Sequence, residues 1–193
     1  EIETPKDRII GEAFLNYIIS EVDDKLLLID KHAAHERLIF EKIKSQDGEL
    51  SCQMLLEPIE VMLSYEEYDA LMQNVELMVK LGFSLKEENA PSIITYGIPT
   101  LLDSVDPNDI ILEIAKNLIE CKHNPQSEIL DELYHSIACK SAIKANDKND
   151  IIELKALVEK IYGNDNIRYC PHGRPVMITL TKKELEKQFK RIL

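Results

Sequence analysis

The stretch DKHAAHE, residues 30–36, places an acid, an imidazole and a second acid within seven positions, directly after an apolar run. A helical pattern begins here, so His32 and Glu36, four positions apart, should project side by side. Asp30 ends the preceding strand, from where its carboxylate can turn back toward them. Imidazole and carboxylates together are a common ligand set for a borderline metal ion.

The same residues also fit the start of a helix that binds no metal. Asp30 would then be the N-cap, because an aspartate side chain accepts a hydrogen bond from a backbone N–H of the first turn. His32 would lie on the surface, and Glu36 would pair with Arg37 or Lys42. Taken alone, the stretch favours this simpler interpretation.

A second group is CPHGRP, residues 170–175. Its prolines forbid a regular helix, so Cys170 and His172 face the same way in extended backbone. A stiff Cys-x-His pair is a good half-site for zinc. A buried thiol beside a hydrogen-bonded histidine in a tight turn explains the pattern equally well.

A third group, ACKSAIKAN, lies on a predicted long helix. His135 precedes Cys139 by one turn and is a possible metal partner, while Lys140 and Lys144 form a small basic face. Core packing of the cysteine and a solvated lysine face are the alternatives.

Periodicity and turn residues predict an α+β fold with two lobes. A strand with a kink at Gly11 is expected first, then a hairpin and the helix from Lys31. Ser127 and Thr181 are expected to cap two later helices. The further elements are a helix over 65–81 closed by Gly82, strands over 83–88 and 92–99, helices over 107–122, 127–146 and 150–162, a strand over 175–180, and a last basic helix. Both chain ends supply strands to one lobe, and the middle of the chain is an insertion.

The 193-residue chain has a net charge of −12, with 45% hydrophobic and 30% charged residues, which fits a soluble globular protein. No apolar stretch approaches the roughly 20 residues of a membrane helix, and the polar opening EIETPKDR predicts no signal peptide. The negative charge argues against tight nucleic-acid binding by the chain alone, since phosphate binding needs Lys and Arg. Four widely spaced cysteines, one of them Cys52, indicate an intracellular protein with free or metal-bound thiols.

In order, these motifs resemble the C-terminal domain of MutL-type DNA mismatch repair proteins. CPHGRP matches a family motif letter for letter, ACKSAIKAN resembles the second motif, and the closing FKR resembles a Phe-x-Arg ending. The resemblance runs from about residue 8 to the end and departs at Lys31, where glutamine is common. DKHAAHERLIFE fills the endonuclease pattern Asp-x-His-Ala-x2-Glu-x4-Glu with Asp30, His32, Ala33, Glu36 and Glu41.

The resemblance implies a metal-dependent endonuclease domain that nicks one strand of duplex DNA in mismatch repair. The implied catalytic residues are Asp30, His32 and Glu36, which would also bind metal and suit Mn²⁺. Implied ligands of a structural or regulatory Zn²⁺ are Cys139, Cys170 and His172. The motif-supporting residues are Glu41, with a structural role, and Lys140, Lys144 and Arg174, which would contact phosphate.

The resemblance also implies the domain boundaries and partners. Residues 1–58 and 126–193 would form a dimerisation and endonuclease lobe, and residues 59–125 an external regulatory lobe. The expected partners are a second copy of the chain, duplex DNA bound weakly, and a mismatch-recognition protein reached through the full-length parent. No phosphate-cradling loop is present, so no ATPase is expected in this chain, which would act in the cytoplasm near the nucleoid.

The segment QMLLEP resembles the short peptide by which the family contacts the processivity sliding clamp. Its residues are Gln53, Met54, Leu55, Leu56, Glu57 and Pro58. The alternative is that its three apolar residues enter the core.

The alternative function is a zinc-stabilised dimerisation platform without useful catalysis. The presence of Asp30 disfavours it, because a pure scaffold needs no carboxylate in addition to the thiol and imidazole ligands. A zinc peptidase is disfavoured, since His35-Glu36 is followed by Ile39 instead of the second histidine of the usual helix.

Overall fold

The computed structural model describes residues 7–46, 49–102, 105–142, 150–162, 164, 167–170 and 173–191. These residues include seven strands and seven α-helices, which confirms the α+β class. The strands are β1 (Asp7–Ala13), β2 (Tyr17–Val22), β3 (Lys25–Asp30), β4 (Cys52–Met62), β5 (Ser84–Glu87), β6 (Ser92–Pro99) and β7 (Met177–Thr181). The helices are α1 (Lys31–Ser45), α2 (Tyr65–Gln73), α3 (Val75–Lys80), α4 (Pro107–Glu120), α5 (Gln126–Ser141), α6 (Ile151–Ile161) and α7 (Lys182–Gln188).

The chain divides into two compact units. The terminal unit consists of Glu1–Leu38 and Ala142–Leu193, and the central unit of Ile39–Ser141. These bounds differ from those of the predicted lobes, because the second half of α1, all of α5 and much of β4 belong to the central unit. The assignment of dimerisation and endonuclease function to one lobe and of regulation to the other stays a prediction.

The terminal unit contains an antiparallel sheet with the strand order β1-β2-β3-β7. Alternate residues of its central strands, such as Ile18 and Leu27, are buried together with Leu157 of α6. A single strand over residues 8–20 was the wrong expectation: the chain turns at Phe14 and Leu15, where φ is 54° and 56°. The kink expected at Gly11 is present as a register shift between Ile9 and Gly11.

The central unit contains a second antiparallel sheet, in the order β4-β6-β5, covered by helices. The apolar stripe of α4, including Ile110 and Ile114, is fully buried. The helix expected over 65–81 is interrupted at Asn74. Gly82 ends this region with φ +82°, and a Cβ there would lie 2.9 Å from the carbonyl oxygen of Leu50.

Several helix starts follow from their capping residues. Asp106 caps α4, Asp150 caps α6 and Thr181 caps α7, in each case by accepting a backbone N–H bond. Ser127 was wrongly expected to cap α5, which begins one residue earlier at Gln126. None of the described helices combines the length and the apolar character that crossing a membrane requires.

Candidate metal-dependent nuclease site

Asp30 stands at the junction of β3 and α1. Its Oδ1 accepts a hydrogen bond of 3.0 Å from the backbone N–H of Ala33, so its side chain caps α1. Its own backbone N–H donates to the carbonyl oxygen of Val176 at 3.0 Å. A carboxylate has about four lone-pair directions, so the cap leaves capacity to bind a cation. The capping and metal-binding interpretations of Asp30 are therefore compatible.

His32 and Glu36 lie one helical turn apart in the first half of α1. The imidazole is half-buried, whereas the residue Glu36 is only 3% exposed. Burying a carboxylate costs free energy unless hydrogen bonds or a cation compensate it. Glu36 is therefore a buried residue and not the surface acid of the simpler interpretation, while its role as a metal ligand stays a prediction.

Cys170 lies in a hairpin that precedes β7. Its N–H donates to the carbonyl oxygen of Arg174 at 2.8 Å, and the N–H of Val176 donates to that of Arg168 at 3.0 Å. Gly173 turns the chain with φ +78°, a value that favours glycine. Pro171 and His172 lie outside the described residues.

The hairpin and the start of α1 share one core. Cys170 is 3% exposed and belongs to the same buried cluster as Ala33 and Ala34 of α1. The hydrogen bond from Asp30 to Val176 joins the base of the hairpin to the end of β3. Two motif segments that lie about 140 residues apart in the chain thus meet in the terminal unit.

The residues between the motif positions shape the charge around this site. Lys31 is completely buried, and its Nζ lies 2.5 Å from Oε1 of Glu12 on β1. Burial, followed by the positive charge of Lys160 and the effect of His32, lowers the pKa of His35, so its imidazole favours the neutral form. Sequence analysis missed the ion pair between Lys31 and Glu12, because no spacing rule connects residues of β1 and α1.

The first four residues of the second motif, Ala138–Ser141, end α5 in the central unit. Cys139 is half-buried there, and Nζ of Lys140 forms an ion pair of 3.0 Å with Glu113 of α4. The hydrogen bond with Glu113 raises the pKa of Lys140. The ring of His135 packs at 4.5 Å from that of Phe40, in line with a packing role. Lys144 lies outside the described residues.

No group of three or more His, Cys, Asp or Glu side chains is gathered closely enough for a metal among the described residues, which exclude His172. The donor types of the predicted ligands nevertheless fit the predicted metals: carboxylate and imidazole suit Mn²⁺, and thiolate with imidazole suits Zn²⁺. Glu41, the last acid of the first motif, also lies on α1 and is half-buried. The assignment of ligands stays a prediction.

Comparison with known proteins places these motifs in a family. The family model described as the MutL C terminal dimerisation domain matches residues 10–149. The DNA mismatch repair protein MutL of Clostridium botulinum strain Kyoto is 39% identical over 96% of this chain and 28% of its own length.

Two further relatives have the same name. That of Clostridium perfringens is 38% identical over 100% of this chain and 29% of its own length. The relative from Clostridium beijerinckii is 36% identical over 98% of this chain and 29% of its own length. The chain therefore spans less than a third of these relatives, and it belongs to the MutL C-terminal dimerisation domain family.

Proposed function

We propose that the chain is the metal-dependent endonuclease domain of a DNA mismatch repair protein and nicks one strand of duplex DNA. The observation that carries this proposal is the meeting of two motif segments in the terminal unit. Asp30 and Glu36 stand there with His32, and the backbone of Asp30 is hydrogen-bonded to the hairpin of Cys170. A pure scaffold has no need for two carboxylates and an imidazole in the segment that meets the hairpin of Cys170.

In this proposal Asp30, His32 and Glu36 hold Mn²⁺. A bound cation supplies an activated water and neutralises charge that develops on the phosphate. The cap bond fixes the Asp30 carboxylate at the helix start, and burial restricts Glu36. Cys139, Cys170 and His172 hold Zn²⁺ in a structural or regulatory role, while Lys140 and Arg174 contact phosphate.

The test is the substitution Asp30→Asn, which keeps the size and the capping ability of the side chain but removes its charge. We expect loss of Mn²⁺-dependent nicking of supercoiled plasmid by at least about 100-fold, because removing one key transition-state interaction typically costs that much. The melting temperature should stay within a few degrees of the parent.

A matched control is Asp106→Asn, because Asp106 Oδ1 likewise caps a helix through a 2.9 Å bond from the N–H of Asn108. Both variants lose one charge at a cap, but only Asp30 belongs to the proposed site. Nicking by Asp30→Asn at the parental rate would refute the endonuclease proposal and leave a dimerisation platform.

We also propose that the terminal unit forms a homodimer through the outer face of its sheet. Ile19 lies opposite Leu28, and Leu28 lies opposite Ile178, so these side chains share one face. Leu26 and Leu180 form another pair on it. Ile178 is 56% exposed, and an exposed apolar face of this kind marks an interaction surface.

The segment QMLLEP has the exposure that a peptide motif for the sliding clamp needs. It lies on β4, an edge strand whose register with β6 shifts between Met54 and Ile59. Met54 is 62% exposed and Leu56 is fully exposed, so the alternative that all three apolar residues enter the core does not hold. Only Leu55 packs against the central core. We propose clamp binding through this exposed edge.

A further inference from the structure

The charge of the chain is unevenly distributed. The central unit has seven Lys and Arg against nineteen Asp and Glu, which equals the whole net charge of −12. The terminal unit is therefore neutral overall. Between Ile167 and Arg191, however, seven basic residues face only two acidic ones, so this segment has a net charge of +5. We name residues 167–191 the basic segment.

The positive charges of the basic segment are exposed. Arg174 on the hairpin and Lys182, Lys183 and Lys187 on α7 are all solvent-exposed. Among the described residues, none of these four side chains forms an ion pair, and the observed ion pairs lie elsewhere. Glu184 and Glu186 on the same helix offset part of this charge, with Lys187 close enough to interact electrostatically with Glu184, but the four basic side chains stay exposed to solvent.

The arrangement on α7 is regular. Lys183 and Lys187 are four positions apart, so they lie on one face of the helix. Lys190 follows three positions later, where the helix has ended, and is exposed as well. The helix start is fixed by a capping box in which Thr181 and Glu184 bond each other's backbone N–H. The lysines therefore project from a defined element.

The basic segment is continuous with the proposed nuclease site. It begins with the hairpin of Cys170, and the carbonyl oxygen of Val176 in this segment accepts the N–H bond of Asp30. β7 then pairs with β3, the strand that ends at Asp30, and leads into α7. Because β7 runs antiparallel to β3, the hairpin of Arg174 lies at the Asp30 end of β3, whereas α7 begins at the other end, where the N–H of Lys182 donates to the carbonyl oxygen of Asp24. A duplex held by both the hairpin and α7 would therefore run along β3 and reach Asp30 at the hairpin end.

We propose that Lys182, Lys183 and Lys187 of α7, with Arg174, form the surface that binds the backbone of duplex DNA. This inference rests on the proposed function, because it names the face that presents DNA to the nuclease site. Duplex DNA fits better than an acidic protein segment, since the hairpin end of this surface, at Arg174, adjoins the site that is proposed to cleave a phosphodiester. Release of counterions by the lysines supplies affinity without sequence preference.

The test is the triple variant Lys182→Gln, Lys183→Gln and Lys187→Gln, measured by fluorescence anisotropy with a labelled duplex at low salt and without added Mn²⁺. We expect affinity at least about tenfold weaker than that of the parent. The slope of log K against log salt should become shallower by about 0.9 for each phosphate that the variant no longer neutralises. The variant with arginine at the same three positions should bind like the parent.

A matched control replaces Lys80, Lys86 and Lys122 of the central unit by Gln, since these side chains are exposed and the net charge changes equally. Equal DNA affinity of the two triple variants would overturn the proposal, whether the face then binds an acidic protein or nothing. Circular dichroism of both variants should match that of the parent, because Lys and Gln have similar helix propensities.

The binding assay separates this inference from the nuclease proposal. The assay contains no Mn²⁺, which the proposed cleavage requires, so binding does not depend on nicking. Asp30→Asn should bind the duplex at least as well as the parent, because it lies outside the lysine surface and removes a negative charge. If Asp30→Asn nicks at the parental rate while the triple variant of α7 has lower affinity for duplex DNA, the nuclease assignment fails and the proposed DNA-binding surface is supported.

Discussion

Among the described residues of the central unit, twenty-two buried side chains form one cluster shared by its sheet and its helices. The corresponding cluster among the described residues of the terminal unit has thirteen, and the outer face of the sheet leaves Tyr17 43% and Ile178 56% exposed. Buried apolar area is the main source of stability, so the central unit can depend on its own interior. The terminal unit keeps part of its apolar area for a partner.

The largest expected effect on stability is therefore in the central unit. Ile114 of α4 is completely buried, so Ile114→Ala should lower the free energy of unfolding by about 4 kcal/mol through lost burial and a cavity. Urea denaturation measures this loss, and sedimentation should show an unchanged dimer. Ile119 lies on the same helix but is only half-buried, so Ile119→Ala should lower the free energy of unfolding clearly less than Ile114→Ala does. Equal losses would contradict the described core.

A smaller effect on folding but a clear effect on assembly is expected in the terminal unit. Ile178→Asp places a charge on the exposed sheet face and should weaken the dimer about 100-fold, or about 2.7 kcal/mol. Sedimentation at several concentrations measures the dissociation constant. Ile152→Asp is the control, because Ile152 on α6 is 72% exposed outside that face. A dimer that tolerates Ile178→Asp would exclude this face as the interface.

The smallest effect is a dependence on pH in the central unit. The hydroxyl of Tyr68 donates to Glu87 of β5, and this bond, with burial, raises the pKa of Tyr68 to about 12. The protonated form is thus favoured in the folded state, and its stabilisation is present below pH 10 and lost between about pH 10 and 12. The free energy of unfolding should fall across this range.

Replacement of the hydroxyl isolates this contribution. Tyr68→Phe should remove part of the decline in the free energy of unfolding between about pH 10 and 12, measured by urea denaturation at each pH. Tyr65→Phe, on the same helix at a residue 67% exposed, provides the comparison. Identical pH profiles for Tyr68→Phe and the parent would show that the bond with Glu87 does not couple to folding.

The sequence predicted those elements whose ends have a local signal. Pro107 and the capping residue Thr181 mark helix starts, and both helices are present. The turn between β1 and β2 was missed, because Phe14 and Leu15 rarely adopt positive φ and give no turn signal. Local patterns predict an element well only when its boundary residues have their usual conformation.

The candidate site shows the same limit at longer range. Motif spacing selected Asp30, Glu36 and Cys170, and the structure brings Asp30 and the hairpin of Cys170 together by backbone bonds. Spacing could not show that Lys31 is buried, because its environment depends on pairing between β1 and β2. Residues that contact across the fold were invisible to patterns read along the chain.

The ion pair between Lys31 and Glu12 has a consequence for divergence within the family. Removing one partner of a buried pair is costly, because the other charge stays in a medium that solvates it poorly. The two positions should therefore covary: a relative with glutamine at the position of Lys31 should have an uncharged residue at that of Glu12. An exchange of glutamine for lysine at this position should therefore be accompanied by the gain of an acid on β1.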